Sequence, residues 1–266
     1  MRTARRTPPF RKTVVPDRVL SGQERERYQR QMMLFGEKGQ IALKNSSVLV
    51  AGAGGLGSPV AYYLACAGIG HIRIVDHDKI ERSNLNRQIL HGEDDIGTMK
   101  VESAREKLAR LNPDIMVDLR STTIDERSIV SLLEGVDIIV DAMDNYPARY
   151  ILNRAAISHG IPLVHGAVHG FSGQATTVVP GKSACLRCLF PNPPPEEIFP
   201  VVGAAPGLIG LLQVHEVLKY LLGMGSLLIN RLILWDGLSC TIEELPFEKN
   251  PSCADCSTMN LQEFTV

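Results

Sequence analysis

Helical spacing begins near Ser21. Over residues 22–35 the apolar positions Tyr28, Met32 and Phe35 share one face with charges opposite, and a second short helix is predicted over 39–44. Then the period changes. Residues 47–51 form a short apolar run ending in glycines, as a strand buried on both faces does. A helix follows over 57–68, then a strand over 71–75 with Asp76 at its C-terminal end. The alternation continues with a helix over 99–111, stopped by Asn112-Pro113, a strand over 116–120 and a helix over 125–134. A strand over 136–140 precedes Asp141, a helix over 147–159 closes at Gly160, and a strand follows over 161–165. Strands alternating with helices in this way predict a parallel sheet with helices on both faces.

After Gly166 the character shifts. Strands are predicted over 174–180, 231–235 and 240–245, separated by a proline-rich loop at 191–195 and a long helix over 206–222. The expected fold class is therefore α/β, with a mixed, mainly parallel sheet flanked by helices and a second half that is partly antiparallel. No flexible linker divides the halves, so residues 21–266 read as a single domain. Residues 1–20 stand apart as a basic extension: Arg2, Arg5, Arg6, Arg11, Lys12 and Arg18 face Asp17 alone.

Composition narrows the classes. Hydrophobic residues make up 44% and charged residues 21%, as in an ordinary soluble globular chain. The longest apolar region, 201–222, is broken by Gln213, His215, Glu216 and Lys219, which suits a buried helix and not a membrane span. A formal net charge of -1 gives no bulk attraction to nucleic acid. No apolar stretch follows the basic segment, so a secretory signal is not expected and a reducing cytoplasm is.

Gly52-Ala53-Gly54-Gly55-Leu56-Gly57 follows a strand and opens a helix, satisfying G-x-G-x-x-G in its required context. Glycines let backbone approach phosphate, and a helix N-terminus offers free N–H groups with a partial positive charge. Asp76 ends the next strand, where a carboxylate accepts hydrogen bonds from ribose. These residues specify a nucleotide without saying which. Taken alone they fit a nicotinamide-dependent oxidoreductase.

The segment 83–88, Ser-Asn-Leu-Asn-Arg-Gln, and Lys100 also follow strand ends. Asn84, Arg87 and Lys100 exceed what a dinucleotide needs. They suit a triphosphate being split, where cations stabilise charge on departing pyrophosphate. Asp141 and Asp144 follow another strand. Either could cap the helix before Pro147; Asp141 reads as the structural one and Asp144 as the better Mg²⁺ ligand.

Cys185-x-x-Cys188 and Cys253-x-x-Cys256 supply four thiolates, the donor set of a closed structural zinc site. Zinc there ties the proline-rich crossover to the C-terminal tail. Cys66 and Cys240 read as core residues.

At this point the chain resembles the MoeB/ThiF/HesA group of ubiquitin-activating-like adenylyltransferases, and within it the MoeB-like enzymes of molybdopterin biosynthesis. The likeness spans residues 21–256. It rests on Arg27-Tyr-Gln-Arg-Gln31, the glycine loop, Asp76-x-Asp78, the 83–88 segment, Gly97-x-x-Lys100, Asp144-Asn145 with Arg149, and both CxxC pairs.

The resemblance implies a Rossmann-like ATP-binding fold, a homodimer and roles for residues. Gly52, Gly54, Gly55 and Gly57 approach the phosphates, and Asp76 holds the ribose. Asn84, Arg87 and Lys100 orient ATP and its pyrophosphate, and Asp144 supports Mg²⁺. Arg30 acts in trans on the other subunit's site. The implied reaction joins AMP to the C-terminal glycine of a small ubiquitin-like sulfur carrier of MoaD/ThiS type ending in Gly-Gly. A separate sulfur donor then displaces AMP to give a thiocarboxylate. The same activation serves molybdopterin, thiamin, tRNA thiolation and protein conjugation.

One departure matters. Many relatives carry a cysteine in the crossover, whereas residues 189–210 contain none, which argues against a covalent carrier–enzyme intermediate. Two variants keep other readings open: the same chemistry on a peptide or other carboxylate, and a zinc-stabilised scaffold without catalysis.

Overall fold

The structure, a computed structural model, describes residues 19–193 and 199–257. Residues 1–18 of the basic extension and part of the proline-rich loop lie outside the described residues.

Helix α1 (Gly22–Lys44) starts from a reciprocal capping box between Ser21 and Glu24. It breaks at Gly36, whose φ of 70° and ψ of 175° are non-helical, so the two helical segments expected from the spacing meet at a kink. Glu24 is buried and bonds Lys44 Nζ at 2.6 Å, closing the far end of the helix onto its start.

Eight strands make a single sheet in the order β3-β2-β1-β4-β5-β6-β7-β8. Strands β1 (Ser47–Ala51), β2 (His71–Val75), β3 (Met116–Arg120), β4 (Ile138–Asp141) and β5 (Leu163–His169) pair in parallel. Strands β6 (Ser172–Val178), β7 (Arg231–Asp236) and β8 (Thr241–Pro246) continue from β5 in antiparallel fashion. Every residue of β1 and β4 is buried, because helices cover both faces there. On one side Val48, Val50, Ile72 and Ile74 pack with Val60 and Leu64 of α2 (Gly57–Ala67) and Ala104 and Leu108 of α3 (Lys100–Leu111). On the other, Leu49 and Ile139 pack with Ile129 and Leu132 of α4 (Ile129–Leu132) and with Leu152 and Ala156 of α5 (Tyr146–His159).

Three expectations need correction. α4 is much shorter than 125–134, because the Asp125 carboxylate accepts the N–H groups of Arg127 and Ser128 and holds a turn instead. β5 runs four residues past His165, since the hairpin with β6 pairs it out to His169. A short helix α6 (Leu186–Leu189) begins directly after Cys185 and contains Cys188, ahead of the long α7 (Ala204–Leu222).

The register sets the site. Ala51 pairs with Val75 on one side and Asp141 on the other, so the C-terminal ends of β1, β2 and β4 lie level. The chain order reverses across β1, with β2 on one side and β4 on the other, and ligands of open α/β sheets bind at such a switch point.

Candidate nucleotide site

Gly52 leaves β1 at a φ of 102°, and a Cβ there would meet the Ala142 carbonyl oxygen at 2.7 Å. A Cβ on Gly57 would stand 1.9 Å from the Gly52 carbonyl oxygen, so neither position admits a side chain. Ala53 donates its N–H to Asp76 Oδ2 at 2.8 Å and its carbonyl accepts from His91 Nε2 at 3.1 Å. The N–H groups of Gly54, Gly55 and Gly57 have no acceptor among the described residues. They are the free donors expected where a helix begins.

Asp76 is largely enclosed. Its second oxygen accepts the Asp78 N–H at 2.9 Å, and each oxygen keeps a lone pair for a further donor. Lys100 is buried at the start of α3, with Nζ 2.8 Å from Asp78 and 4.0 Å from Asp76. Burial without these carboxylates would be costly for an ammonium. The stem of Arg87 lies 3.5 Å from where a Gly55 Cβ would be, and its guanidinium donates to the Ser83 carbonyl and to Asn86. Asn84 belongs to a single turn of 3-10 helix, where its Oδ1 accepts the Glu81 N–H at 3.1 Å. Gln88 beside it is buried, and its Oε1 lacks a partner among the described residues.

Asp144 follows β4 and is exposed; Asn145 Nδ2 reaches its Oδ1 at 3.3 Å. Neither aspartate caps α5. That cap is Asn145, which accepts the Ala148 N–H at 2.9 Å ahead of Pro147. Asp141 is fully buried and accepts from His165 Nδ1 at 2.7 Å, while Gln174 approaches His165 Nε2 at 3.3 Å. The histidine is thus the Nδ1–H tautomer, and burial pushes its pKa down despite the Asp141 carboxylate. Arg149 Nε lies 3.6 Å from Asp141, and Gln213 Nε2 bonds the carbonyls of Asp141 and Val164, tying the ends of β4 and β5.

The structure therefore gathers Gly52, Gly54, Gly55, Gly57, Asp76, Arg87 and Lys100 at one end of the sheet. Asn84 stands in the same segment as Arg87, and Asp144 at the neighbouring strand end. Arg30 is apart from them, on the exposed face of α1, with no hydrogen bond or ion pair among the described residues.

The cysteines form a second cluster. Sγ atoms of Cys185 and Cys188 lie 3.8 Å apart, Cys185 and Cys253 3.6 Å, and Cys188 and Cys256 3.4 Å. All four lie within 4.8 Å of one another and none forms a disulfide. A tetrahedral ion about 2.3 Å from each sulfur sets the sulfurs about 3.8 Å apart, so the donor set and its spacing fit zinc. Burial pushes the Cys185 thiol up to about 12, so a thiolate at this position calls for a cation to hold it. Cys66 and Cys240 are exposed, contrary to the expectation that they are core residues. Cys66 sits on the outer side of α2, and Cys240 in the β7–β8 hairpin turn with a φ of 55°.

His91 and His165 escaped the sequence reading. Each is a lone histidine beside apolar residues, and what marks them out is a hydrogen-bond partner distant in the chain.

Fold and site together define an α/β nucleotide-binding protein with two cations set against a glycine loop. Residues 28–255 match the family model described as ThiF family, and the chain belongs to that family. The SAMP-activating enzyme E1 of Haloferax volcanii is 43% identical over 245 residues, covering 89% of this chain and 90% of that one. The adenylyltransferase and sulfurtransferase MOCS3 of Drosophila sechellia is 43% identical over 251 residues, covering 91% of this chain but 55% of that longer protein. Among solved structures, E. coli MccB superposes with a TM-score of 0.80 at 24% identity over 92% of this chain and 76% of MccB, a likeness of fold. No helix among the described residues is long and apolar enough to cross a membrane.

Proposed function

We propose that this chain is an ATP-dependent adenylyltransferase that joins AMP to the C-terminal glycine of a small ubiquitin-like sulfur-carrier protein and releases pyrophosphate. The observation that carries the reading is the placement of buried Lys100, fixed by Asp76 and Asp78, and of Arg87, against the free N–H groups of the glycine loop. A dinucleotide's pyrophosphate needs no second cationic side chain beside the loop; a departing pyrophosphate uses one. The relatives named for E1 and adenylyltransferase activity support the same reading.

In this mechanism the carrier's carboxylate oxygen attacks the α-phosphorus and the bond to the bridging β-phosphate oxygen breaks. The chain supplies position and charge, with no covalent enzyme intermediate. Gly54, Gly55 and Gly57 donate N–H groups to phosphate oxygens, Asp76 receives the ribose hydroxyls, and Asn84 offers its amide N–H. Arg87 and Lys100 stabilise charge developing on pyrophosphate. Asp144 is an exposed oxygen donor suited to Mg²⁺, which when bound neutralises phosphate charge. Arg30 serves the partner subunit's site in a homodimer. Zinc on the four cysteines is structural, and a reducing cytoplasm keeps them from forming disulfides. Residues 21–266 are assigned to one adenylation domain, and sulfur comes from a separate donor.

The test is ATP–pyrophosphate exchange by the purified chain with Mg²⁺ and small carriers ending in Gly-Gly. Exchange that requires an intact carrier terminus supports the proposal. Saturable ATP binding without exchange for any carrier, but with exchange for a peptide carboxylate, would move the acceptor to that class. Absence of both, with NAD bound in preference to ATP, would sink adenylation.

A further inference from the structure

We infer that His91 is a positioning residue for nucleotide binding: as its Nε2–H tautomer it pins the Ala53 carbonyl inward, which turns the next N–H of the glycine loop outward and ties that loop to the helix bearing Lys100.

The tautomer follows from the partners. A backbone carbonyl only accepts, so Nε2, 3.1 Å from the Ala53 oxygen, carries the proton. Nδ1, 3.0 Å from Ser103 Oγ, is then the acceptor of that hydroxyl. His91 is 7% exposed, and burial, reinforced by the charge of Lys100, opposes a second proton. Ser103 lies one turn after Lys100 in α3. A closed circuit results. The Ala53 N–H bonds Asp76, Asp76 and Asp78 hold Lys100, α3 carries Lys100 and Ser103 together, Ser103 orients His91, and His91 returns to the Ala53 carbonyl.

The consequence for ligand is geometric. Ala53 C=O and Gly54 N–H belong to one planar trans peptide and point in opposite directions. A carbonyl drawn in towards a buried imidazole sends the Gly54 N–H away from it, and that N–H has no acceptor among the described residues. Glycines on both sides of Ala53 leave the plane free to rotate without such an anchor. Ser58 Oγ also approaches the Ala53 oxygen, but at 3.5 Å, the limit of a hydrogen bond. His91 therefore fixes a phosphate donor it does not itself touch.

The inference rests on the proposed function only for which nucleotide fills the loop, so binding is titrated with both ATP and NAD and is read apart from catalysis. His91→Ala weakens binding of the preferred nucleotide about tenfold, as expected for a lost buried hydrogen bond to a functional loop. The KM for ATP in pyrophosphate exchange rises by a similar factor with kcat largely kept. His91→Gln, whose amide N–H can reach the same carbonyl, recovers most of the affinity, and Ser103→Ala falls between. In the wild type, ¹⁵N imidazole shifts show Nε2 protonated and Nδ1 bare. An unchanged affinity in folded His91→Ala, or an Nδ1–H tautomer in the wild type, overturns the inference. If His91→Ala does not fold, the tautomer and the His91→Gln and Ser103→Ala affinities still decide it. Absence of exchange with normal nucleotide binding would defeat the carrier reading and leave His91 standing.

Discussion

The glycine loop and the cysteine cluster are both tight, but they are tight for different reasons. Around Gly52 and Gly57 the backbone is fixed by contacts that exclude a single Cβ, and the N–H groups of Gly54, Gly55 and Gly57 are left without an acceptor among the described residues. Around Cys185 and Cys253 four thiols converge on a common centre, three of them buried and Cys188 half-buried. One region uses its geometry for binding, the other for holding two distant stretches of chain together. Damage should separate accordingly: the first should fail in activity while folded, the second in stability.

The largest effect is expected at the cysteines. Cys253 is buried in the same cluster as Leu152, Ala156 and Leu186, so its loss disturbs both the thiol cluster and the core. Cys253→Ser should remove bound zinc and lower Tm on the order of 10 °C, because a structural ion contributes its binding free energy to folding. Metal analysis and calorimetry decide it. Unchanged zinc and Tm would exclude the tetrathiolate site.

Arg87→Ala should give the opposite signature. Among the described residues its guanidinium bonds only the Ser83 carbonyl and Asn86, so folding loses little. Exchange should fall on the order of 10²–10³-fold, the effect of losing one donor to a developing charge. Normal exchange would remove Arg87 from the site.

The same contrast explains what was legible. In the parallel half, β1, β2 and β3 have the bounds the sequence predicts; β1 is apolar because it is buried on both faces, whereas β3, a half-exposed edge strand, carries Asp118 and Arg120 among its apolar residues. The glycine loop was legible for a related reason: close backbone approach admits few residue types. Four cysteines at paired spacing carried their own chemistry. What escaped depends on partners far along the chain. His91 meets Ala53 across 38 positions, and Glu24 meets Lys44 across 20. Nor could periodicity foresee that Asp125 would bend its segment into a turn, shortening α4. For Arg30 the spacing gives only a place among the charges opposite the apolar face of α1. The single chain also leaves it exposed, so its role in trans rests on the family resemblance.

A milder test sharpens that point by asking whether the nucleotide site is complete within one chain. Arg30→Ala and Lys100→Ala variants should each be inactive alone. Mixed and re-equilibrated, they should recover about a quarter of wild-type exchange, since half the dimers are mixed and one site in each has both residues. Confirmed mixed dimers without recovery would place Arg30 in its own subunit's chemistry or outside it.

The smallest effect lies beneath the site, where the end of β4 meets β5. His165 is fully buried against Asp141 and Arg149, and burial lowers its pKa from the ordinary value of 6.5. A histidine with a depressed folded pKa is favoured neutral. Its contribution is complete above about pH 6.5 and is lost as pH falls through the folded value, because the unfolded chain then binds the extra proton. Each such group contributes at most about 1.4 kcal/mol per pH unit. His91, lowered by burial as well, adds to the same acid-side loss. Denaturant midpoints should therefore fall between about pH 7 and pH 5, and His165→Gln should flatten that slope by up to one proton whatever it does to the absolute stability. An undiminished slope would mean that His165 is protonated in the folded chain, with Asp141 outweighing burial. The strand ends that frame the nucleotide site would then be held by a charged pair instead of a neutral imidazole.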